Sequence, residues 1–261
     1  MNILLTNDDG VHAPGLVAIH SELSTLGNVV VVAPQKPQSG MSHSITFTRP
    51  VTCKRLRNKT FKGYAVAGTP ADCVKLACSQ LNVGPIDLVV SGINQGANVG
   101  FNVCYSGTVA AAIEGVFRGI PAVALSLVQE DPMDYESAAR HALSLLQRCL
   151  PLSTKAALNI NIPRLSEGEP RGIRVVPQST RGFNEYYLPQ ASGPALTFQI
   201  SGGAHRPEEA LTDTMALSCG YITVTPLHGD LTRHDQLADI ELRLARTPID
   251  SDSSTTPWQT E

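Results

Sequence analysis

Short apolar runs of strand length alternate with helix-like segments through the first 163 residues of this 261-residue chain. Most of these runs are continuous rather than alternating, which is typical of a strand covered on both faces. Repeated strand–helix alternation predicts a parallel sheet with helices on both of its faces. We therefore predict an α/β protein with a Rossmann-like, mostly parallel sheet. The runs are Ile3-Leu4-Leu5, NVVVVAP (28–34), IDLVV (86–90), PAVALSL (121–127) and ALNINIP (157–163).

Helix signals fill the segments between these runs. The segment GTPADC has Thr69 as N-cap, Pro70 at the first helical position and Asp72 at the third, which predicts a capping box. Either Ser106 or Thr108 is expected to open an Ala-rich helix, and residues 134–149 are predicted to form another. The first helix is indicated by apolar residues at helical spacing followed by a glycine stop: Leu16, Ile19, Leu23, Leu26 and Gly27.

The pattern changes after about Gly168. Residues 182–205 have no clear helix, the segment GYITVTPLHGDLT suggests a late strand, and HDQLADIELRLA suggests a closing helix. Earlier in the chain, residues 43–67 suggest short strands. We predict a single domain over 1–246, with a core of about 1–165 and a C-terminal extension of about 166–246 that contributes extra strands. The polar tail 247–261 is predicted to be disordered.

Composition argues against several classes of partner. The formal net charge is −3 and no run of five like charges occurs, so nothing indicates a nucleic-acid polymer or an anionic membrane as partner. The start of the chain lacks the pattern of a signal peptide, and no stretch approaches the roughly twenty apolar residues of a membrane span. The six cysteines show no CxxC pair and no zinc spacing, which favours reduced thiols in a cytoplasmic protein.

Polar loops follow several of the predicted strands. Ligands of open parallel sheets bind outside the carboxyl ends of the strands, so these loops are expected to meet at one rim. Their side chains are mostly hard oxygen donors, which suit Mg²⁺, Mn²⁺ or Ca²⁺ better than zinc or copper. Adjacent carboxylates become favourable around such a cation, although both could instead be turn formers. The rim residues are Asp8, Asp9, Ser39, Ser42, His43, Ser91, Asn94 and Asn98.

A phosphate site is predicted where the glycine-rich loop SGINQGANVG leads to YSGTVAAA. Free backbone N–H groups and small hydroxyl residues at a helix start bind oxyanions well. The alternative is an ordinary helix cap formed by Ser106 or Thr108. A metal beside an anion site indicates phosphoryl chemistry. His12 and His43 also lie in rim loops, and we interpret each as a surface or hydrogen-bonded histidine.

Long motifs in this order resemble the SurE proteins, the stationary-phase survival 5′-nucleotidases. They are NDDGVHAPG, VVVVAPxxxxSG, GTPADCV, DLVVSGINxGxNxG, YSGTVAAAIEG and TPLHGDLT, and they extend from Asn2 to about Thr232. The resemblance implies a phosphoric monoester hydrolase acting on nucleoside 5′-monophosphates, with broader phosphatase or exopolyphosphatase activity left open. It also implies that the C-terminal segment takes part in subunit exchange, giving a homodimer or homotetramer.

The resemblance implies one divalent cation per subunit, Mg²⁺ or Mn²⁺. Its ligands would be both carboxylates of NDDG, the serine of the SG pair and the asparagine of SGIN, which are Asp8, Asp9, Ser39 and Asn94. Asp9 and Asn94 are also the expected catalytic residues. Asp9 would accept the proton of an attacking water, although a metal-bound carboxylate is a weak base. The expected substrate and phosphate contacts are Ser39, Gly40, Asn98, Ser106, Gly107 and Thr108.

Three other functions are alternatives to this prediction. A receiver-type signalling module would need a phospho-acceptor aspartate after a central strand, where this chain has SGIN. A dinucleotide-binding oxidoreductase would need GxGxxG where this chain has two carboxylates. The third alternative, a metal-stabilised interaction protein, is not excluded by these motifs. The chain departs from the family at Gly229, where a larger residue is expected, and in its long polar tail beyond Arg246.

Overall fold

The computed structural model describes residues 1–57, 61–181, 183–190, 196–205 and 210–245, and the predicted disordered tail 247–261 lies outside them. Its strands are β1 (Asn2–Thr6), β2 (Asn28–Pro34), β3 (Cys53–Arg57), β4 (Lys62–Val66), β5 (Leu88–Gln95), β6 (Ala122–Leu127), β7 (Ala157–Ile162), β8 (Ile173–Val175), β9 (Phe183–Gln190), β10 (Thr197–His205) and β11 (Ile222–Leu227). Its α-helices are α1 (Pro14–Leu23), α2 (Pro70–Ser79), α3 (Asn102–Tyr105), α4 (Gly107–Phe117), α5 (Tyr135–Cys149), α6 (Asp213–Ser218) and α7 (Leu237–Ala245).

A nine-stranded mixed sheet forms the centre of the fold. Its strand order is β3-β4-β2-β1-β5-β6-β7-β11-β8. The pairs from β4 to β7 are parallel, whereas β3 and β11 run antiparallel to β4 and β7. β9 and β10 form a separate antiparallel ribbon. The predicted α/β class with a mostly parallel sheet is confirmed, as are extra strands in the C-terminal region.

Two hydrophobic cores lie on opposite faces of this sheet. Ile3 and Leu5 of β1 belong to one core, with α1 and α5, while Leu4 belongs to the other, with α2 and α4. Successive strand residues point to opposite faces, so one apolar run supplies both cores. Helices on both faces leave the carboxyl ends of the parallel strands as the open rim of the sheet.

Several boundaries differ from the sequence predictions. α1 ends at Leu23, before the predicted stop at Gly27. A Cβ at Gly27 would lie 2.0 Å from the carbonyl oxygen of Met1, so close packing explains this glycine. The predicted glycine-rich loop begins later, because β5 continues through SGIN to Gln95. Residues 43–52 form no strand, and Thr69–Asp72 form the predicted capping box.

The described chain falls into two compact units, Met1–Gly229 and the part from Asp230 onward. The first contains the sheet, the ribbon and helices α1–α6. The second consists of a short 3₁₀ turn and α7, with ion pairs between Arg233 and Asp235 and between Arg243 and Asp239. None of the α-helices in the described ranges has both the length and the apolar character needed to cross a membrane.

Candidate active site

Asp8 lies two residues after the end of β1 and faces the beginning of α4. Its side chain is buried, and Thr108 Oγ1 donates a 2.6 Å hydrogen bond to Asp8 Oδ1. A Cβ at Gly107 would lie 3.0 Å from the Cβ of Asp8, so glycine permits this close approach. Burial raises the pKa of Asp8, and the Thr108 hydroxyl and the backbone N–H groups of Gly107 and Thr108 only partly counteract it.

Asp9 is half-buried and joins β1 to the end of β5. Its Oδ2 accepts a 3.1 Å hydrogen bond from the backbone N–H of Gln95. Burial and the neighbouring charge of Asp8 raise the pKa of Asp9 to about 6. The two adjacent carboxylates therefore resist being charged together in the chain alone. Such a pair becomes favourable when a cation shares both charges.

The loop from 35 to 52, here called the Ser39 loop, reaches the same point of the rim. The backbone N–H of Gln38 donates to the carbonyl oxygen of Asp8 at 2.7 Å. Ser39 is exposed, and the next residue, Gly40, has a φ of +72° that favours glycine. Ser39 follows Gln38 directly, so the predicted serine lies on a segment bonded to the backbone of Asp8.

Asn94 comes to the rim from the opposite side, on β5. Its Nδ2 donates to the carbonyl oxygen of Gly96 at 2.7 Å, which leaves Oδ1 as the acceptor that the amide presents. Gln95, the next residue, contacts Asp9. The four predicted metal ligands are therefore contributed by three segments joined through direct contacts of Gln38 and Gln95.

The predicted phosphate residues divide between the helix start and the core. Ser106 Oγ accepts a 3.1 Å bond from the backbone N–H of Val109, so Ser106 is the N-cap of α4. Thr108 is engaged with Asp8. The Asn98 side chain is buried and donates to Ser126 Oγ at 2.9 Å, and its backbone is bound by Asn159 and Asn161. Asn98 thus belongs to a buried polar network beneath the rim.

Tyr135 also lies near the carboxylates, which the sequence reasoning missed. A Cβ at Gly15 would lie 3.0 Å from Tyr135 Cε1 and 2.1 Å from the carbonyl oxygen of Ile93, the residue before Asn94. Burial and the charge of Asp9 raise the pKa of Tyr135 to about 12. The rule that flagged the other rim loops would have found it, because Tyr135 follows the loop after β6.

The donor set fits a hard divalent cation. Within the described ranges, no three His, Cys, Asp or Glu side chains are arranged to hold one metal ion. A cation at this rim would therefore take serine, asparagine or backbone oxygens beside the two carboxylates. Ser91 pairs with Thr6 in the β1–β5 register, and its Oγ is buried with no partner in the described part of the chain. Oxygen ligands of this kind suit Mg²⁺ or Mn²⁺.

Comparisons with known proteins agree on one family. The model of the family described as "Survival protein SurE" matches residues 3–185. A protein of Rhodopirellula baltica named "5′-nucleotidase SurE" is 43% identical over 247 residues, covering 92% of this chain and 98% of that protein. One of the same name from Syntrophus aciditrophicus is 42% identical over 252 residues, covering 94% and 95%. The crystal structure of the SurE protein from Aquifex aeolicus superposes with a TM-score of 0.81 and 38% identity, covering 94% of this chain and 100% of that chain.

Proposed function

This chain belongs to the SurE family, and we propose that it hydrolyses nucleoside 5′-monophosphates to nucleoside and phosphate with the help of a divalent cation. The observation that carries the proposal is the contact between Asp8 and the start of α4. Because Asp9 adjoins Asp8, this contact supports a site in which a metal on the acidic pair and a phosphate at the helix N-terminus would be bound together. The curated relatives with this name cover nearly the whole chain, which supports the same activity.

Asp8, Asp9, Ser39 and Asn94 would hold the cation, one per subunit. When bound, it supplies Lewis-acid polarisation of the phosphoryl group. The helix start of Ser106, Gly107 and Thr108 would bind the phosphate oxygens, together with Gly40, while Asn94 orients the group and the predicted contact Asn98 lies buried beneath the rim. We assign to Asp9 the role of accepting the proton of the attacking water, for which a metal-bound carboxylate is a weak base. Donors aimed at the phosphate oxygens stabilise the charge that develops there.

A nucleotide panel tests this function. Phosphate release is measured from several nucleoside 5′-monophosphates, ribose 5-phosphate and short polyphosphate, with Mg²⁺, Mn²⁺ or a chelator. We expect turnover of the monophosphates with metal, loss of turnover with chelator, and recovery when metal is added back. Turnover that ignores the chelator would contradict metal dependence. Absence of all turnover would favour a metal-stabilised interaction protein. The polyphosphate and the two metals decide the breadth of the activity and the preferred cation.

Anomalous diffraction tests the ligand set separately. A crystal soaked in MnCl₂ is expected to show anomalous density in contact with at least three of the four ligands. Density only elsewhere would overturn the assignment, even in an active protein. This separates the identity of the site from the existence of the activity.

Assembly and location extend the same proposal. We assign the ribbon β9–β10 and the segment to 246 to a C-terminal extension of one SurE-like domain, used in a homodimer or homotetramer. Exposed apolar side chains on that extension support this, among them Tyr187, Phe198 and Ile200. A cytoplasmic location without a nucleic-acid or membrane partner is supported by the near-neutral charge and by six cysteines, all within the described ranges and all unpaired.

A further inference from the structure

A buried carboxylate on α4 is the centre of a charged cluster that the proposed reaction does not use. Glu114 is 4% exposed. Its Oε1 lies 3.0 Å from Arg118 Nε and 3.3 Å from Lys75 Nζ, and its Oε2 lies 3.2 Å from His43 Nε2. Burial raises the pKa of Glu114, but hydrogen bonds from His43, Arg118 and Lys75 outweigh it and bring the pKa below the ordinary 4.5. The Glu114 carboxylate is thus charged and is bound by all three partners.

The three partners of Glu114 come from different parts of the chain. Arg118 is the C-cap of α4, one turn after Glu114, and Lys75 is on α2. His43 belongs to the Ser39 loop, and its ring also stacks on Phe117 with centroids 5.5 Å apart and planes 11° from parallel. His43 is therefore the partner that connects the loop carrying Ser39 to the helix whose first turn contacts Asp8.

The course of this loop is imposed by contacts rather than by local preference. Ser42, the residue before His43, has a φ of +52°, a left-handed conformation that residues other than glycine rarely adopt. Such a conformation persists only where surrounding structure holds it. The backbone N–H of Ser42 donates to the carbonyl oxygen of Tyr105 at 3.0 Å, and His43 supplies the next contact. Both contacts lead to the α3–α4 region.

We propose that His43 is a positioning residue: its bond to Glu114 holds the Ser39 loop against α4. Ser39 and the first turn of α4 then keep one arrangement toward the cation and the phosphate. The inference rests on the proposed function, because it concerns the same site. Lys75 bonds the same carboxylate but lies on a helix that carries none of the candidate ligands, so its role is limited to balancing the charge of Glu114.

Two matched variants separate positioning from simple stabilisation. His43→Ala and Lys75→Met each remove one partner of Glu114. Mn²⁺ affinity is measured by calorimetry without substrate, and hydrogen–deuterium exchange is followed over residues 36–46. We expect His43→Ala to weaken Mn²⁺ binding by roughly tenfold, the smaller end of what losing an orienting contact costs, and to speed exchange in the loop. Lys75→Met is expected to leave both unchanged, although it lowers the melting temperature. His43→Gln retains an N–H donor and is expected to recover most of the affinity.

The outcomes distinguish this inference from the proposed function. A wild-type protein that binds no Mn²⁺ and releases no phosphate would overturn the proposed function and this inference together. An active wild type in which His43→Ala and Lys75→Met share the wild-type Mn²⁺ affinity and loop exchange would overturn the inference alone. Equal weakening in both variants would also overturn it, since the cluster would then act only through general stability.

Discussion

Asp8 and Asp9 are adjacent in sequence but meet different surroundings. Asp8 turns toward α4 and takes a hydroxyl donor from Thr108, whereas Asp9 turns toward β5 and takes a backbone donor from Gln95. The position of both carboxylates at a strand end can be predicted from the sequence, because an apolar run is followed directly by polar residues. It cannot reveal which carboxylate is more buried, because that depends on the distant helix start at Gly107.

Asp9→Asn tests whether the carboxylate pair serves function at the expense of stability. The pKa of Asp9 is about 6 in the folded chain against an ordinary 3.8. The folded state therefore binds this proton more tightly, and the metal-free protein loses stability as the pH rises through that window. We expect metal-free Asp9→Asn to melt no lower than wild type at neutral pH, with a flatter pH profile and greatly reduced turnover. A large drop in melting temperature would show that Asp9 is structural.

Ser106 is the N-cap of α4 and is also proposed to bind phosphate, and two substitutions separate these two roles. Ser106→Ala removes both the hydroxyl and the cap, so we expect a loss of about 1 kcal/mol of stability. Ser106→Gly removes the hydroxyl but costs only a few tenths of a kcal/mol, since glycine is an acceptable N-cap. Both are expected to lower kcat/KM by roughly tenfold for every nucleotide. Wild-type kinetics in the glycine variant would show that the cap is the whole role of Ser106.

At the scale of elements, the main strands and helices follow from local patterns. The continuous run 28–34 and the capping box at Thr69 lead to a buried strand and a helix that occur as predicted. Elements that depend on distant partners were missed. β8 has only three residues and pairs with β11, while α6 begins at Asp213, whose carboxylate accepts from the backbone N–H groups of Gly100 and Ser179. The residues next to β8 and α6 in the sequence do not reveal these distant partners.

The departure at Gly229 has an explanation in α4. A Cβ at Gly229 would lie 2.1 Å from Cε1 of Phe117, the ring that stacks on His43. We expect Gly229→Ala to displace this ring and to cost about 1 kcal/mol of stability. Combined with Phe117→Ala, the same change should cost clearly less, which urea denaturation of the single and double variants measures. Additive losses would show that the ring and Gly229 are independent.

At the scale of the whole molecule, the ribbon and α7 each expose apolar side chains. Leu237, Ile240 and Leu244 of α7 are about half exposed and follow helical spacing, and the ribbon exposes Phe198 and Ile200. Exposed apolar side chains grouped on one element often mark a surface that binds another chain. The sequence shows the helical spacing of α7, but it does not show how exposed each of these side chains is.

Light scattering tests whether this surface joins copies of the chain. We expect the wild type to have at least twice the mass of one chain, and Phe198→Lys or Ile240→Lys to reduce that mass by replacing apolar contacts with charge. Gln147→Lys, on the exposed side of α5, is the matched control and should leave the mass unchanged. A monomeric wild type at micromolar concentration would contradict the proposed assembly.

The contacts that hold the Ser39 loop constrain how the length of this loop can change in evolution. Contacts to the rest of the fold recur along it at Gln38, Ser42, His43, Ser44, Thr46 and Arg49. A surface loop normally tolerates gain or loss of residues. Here a single inserted residue would put every later contact out of step with its partner. The number of residues between Gln38 and Thr46 is therefore as constrained as their identity, and lineages of this protein should lengthen elsewhere, as at the open turn of Gly84.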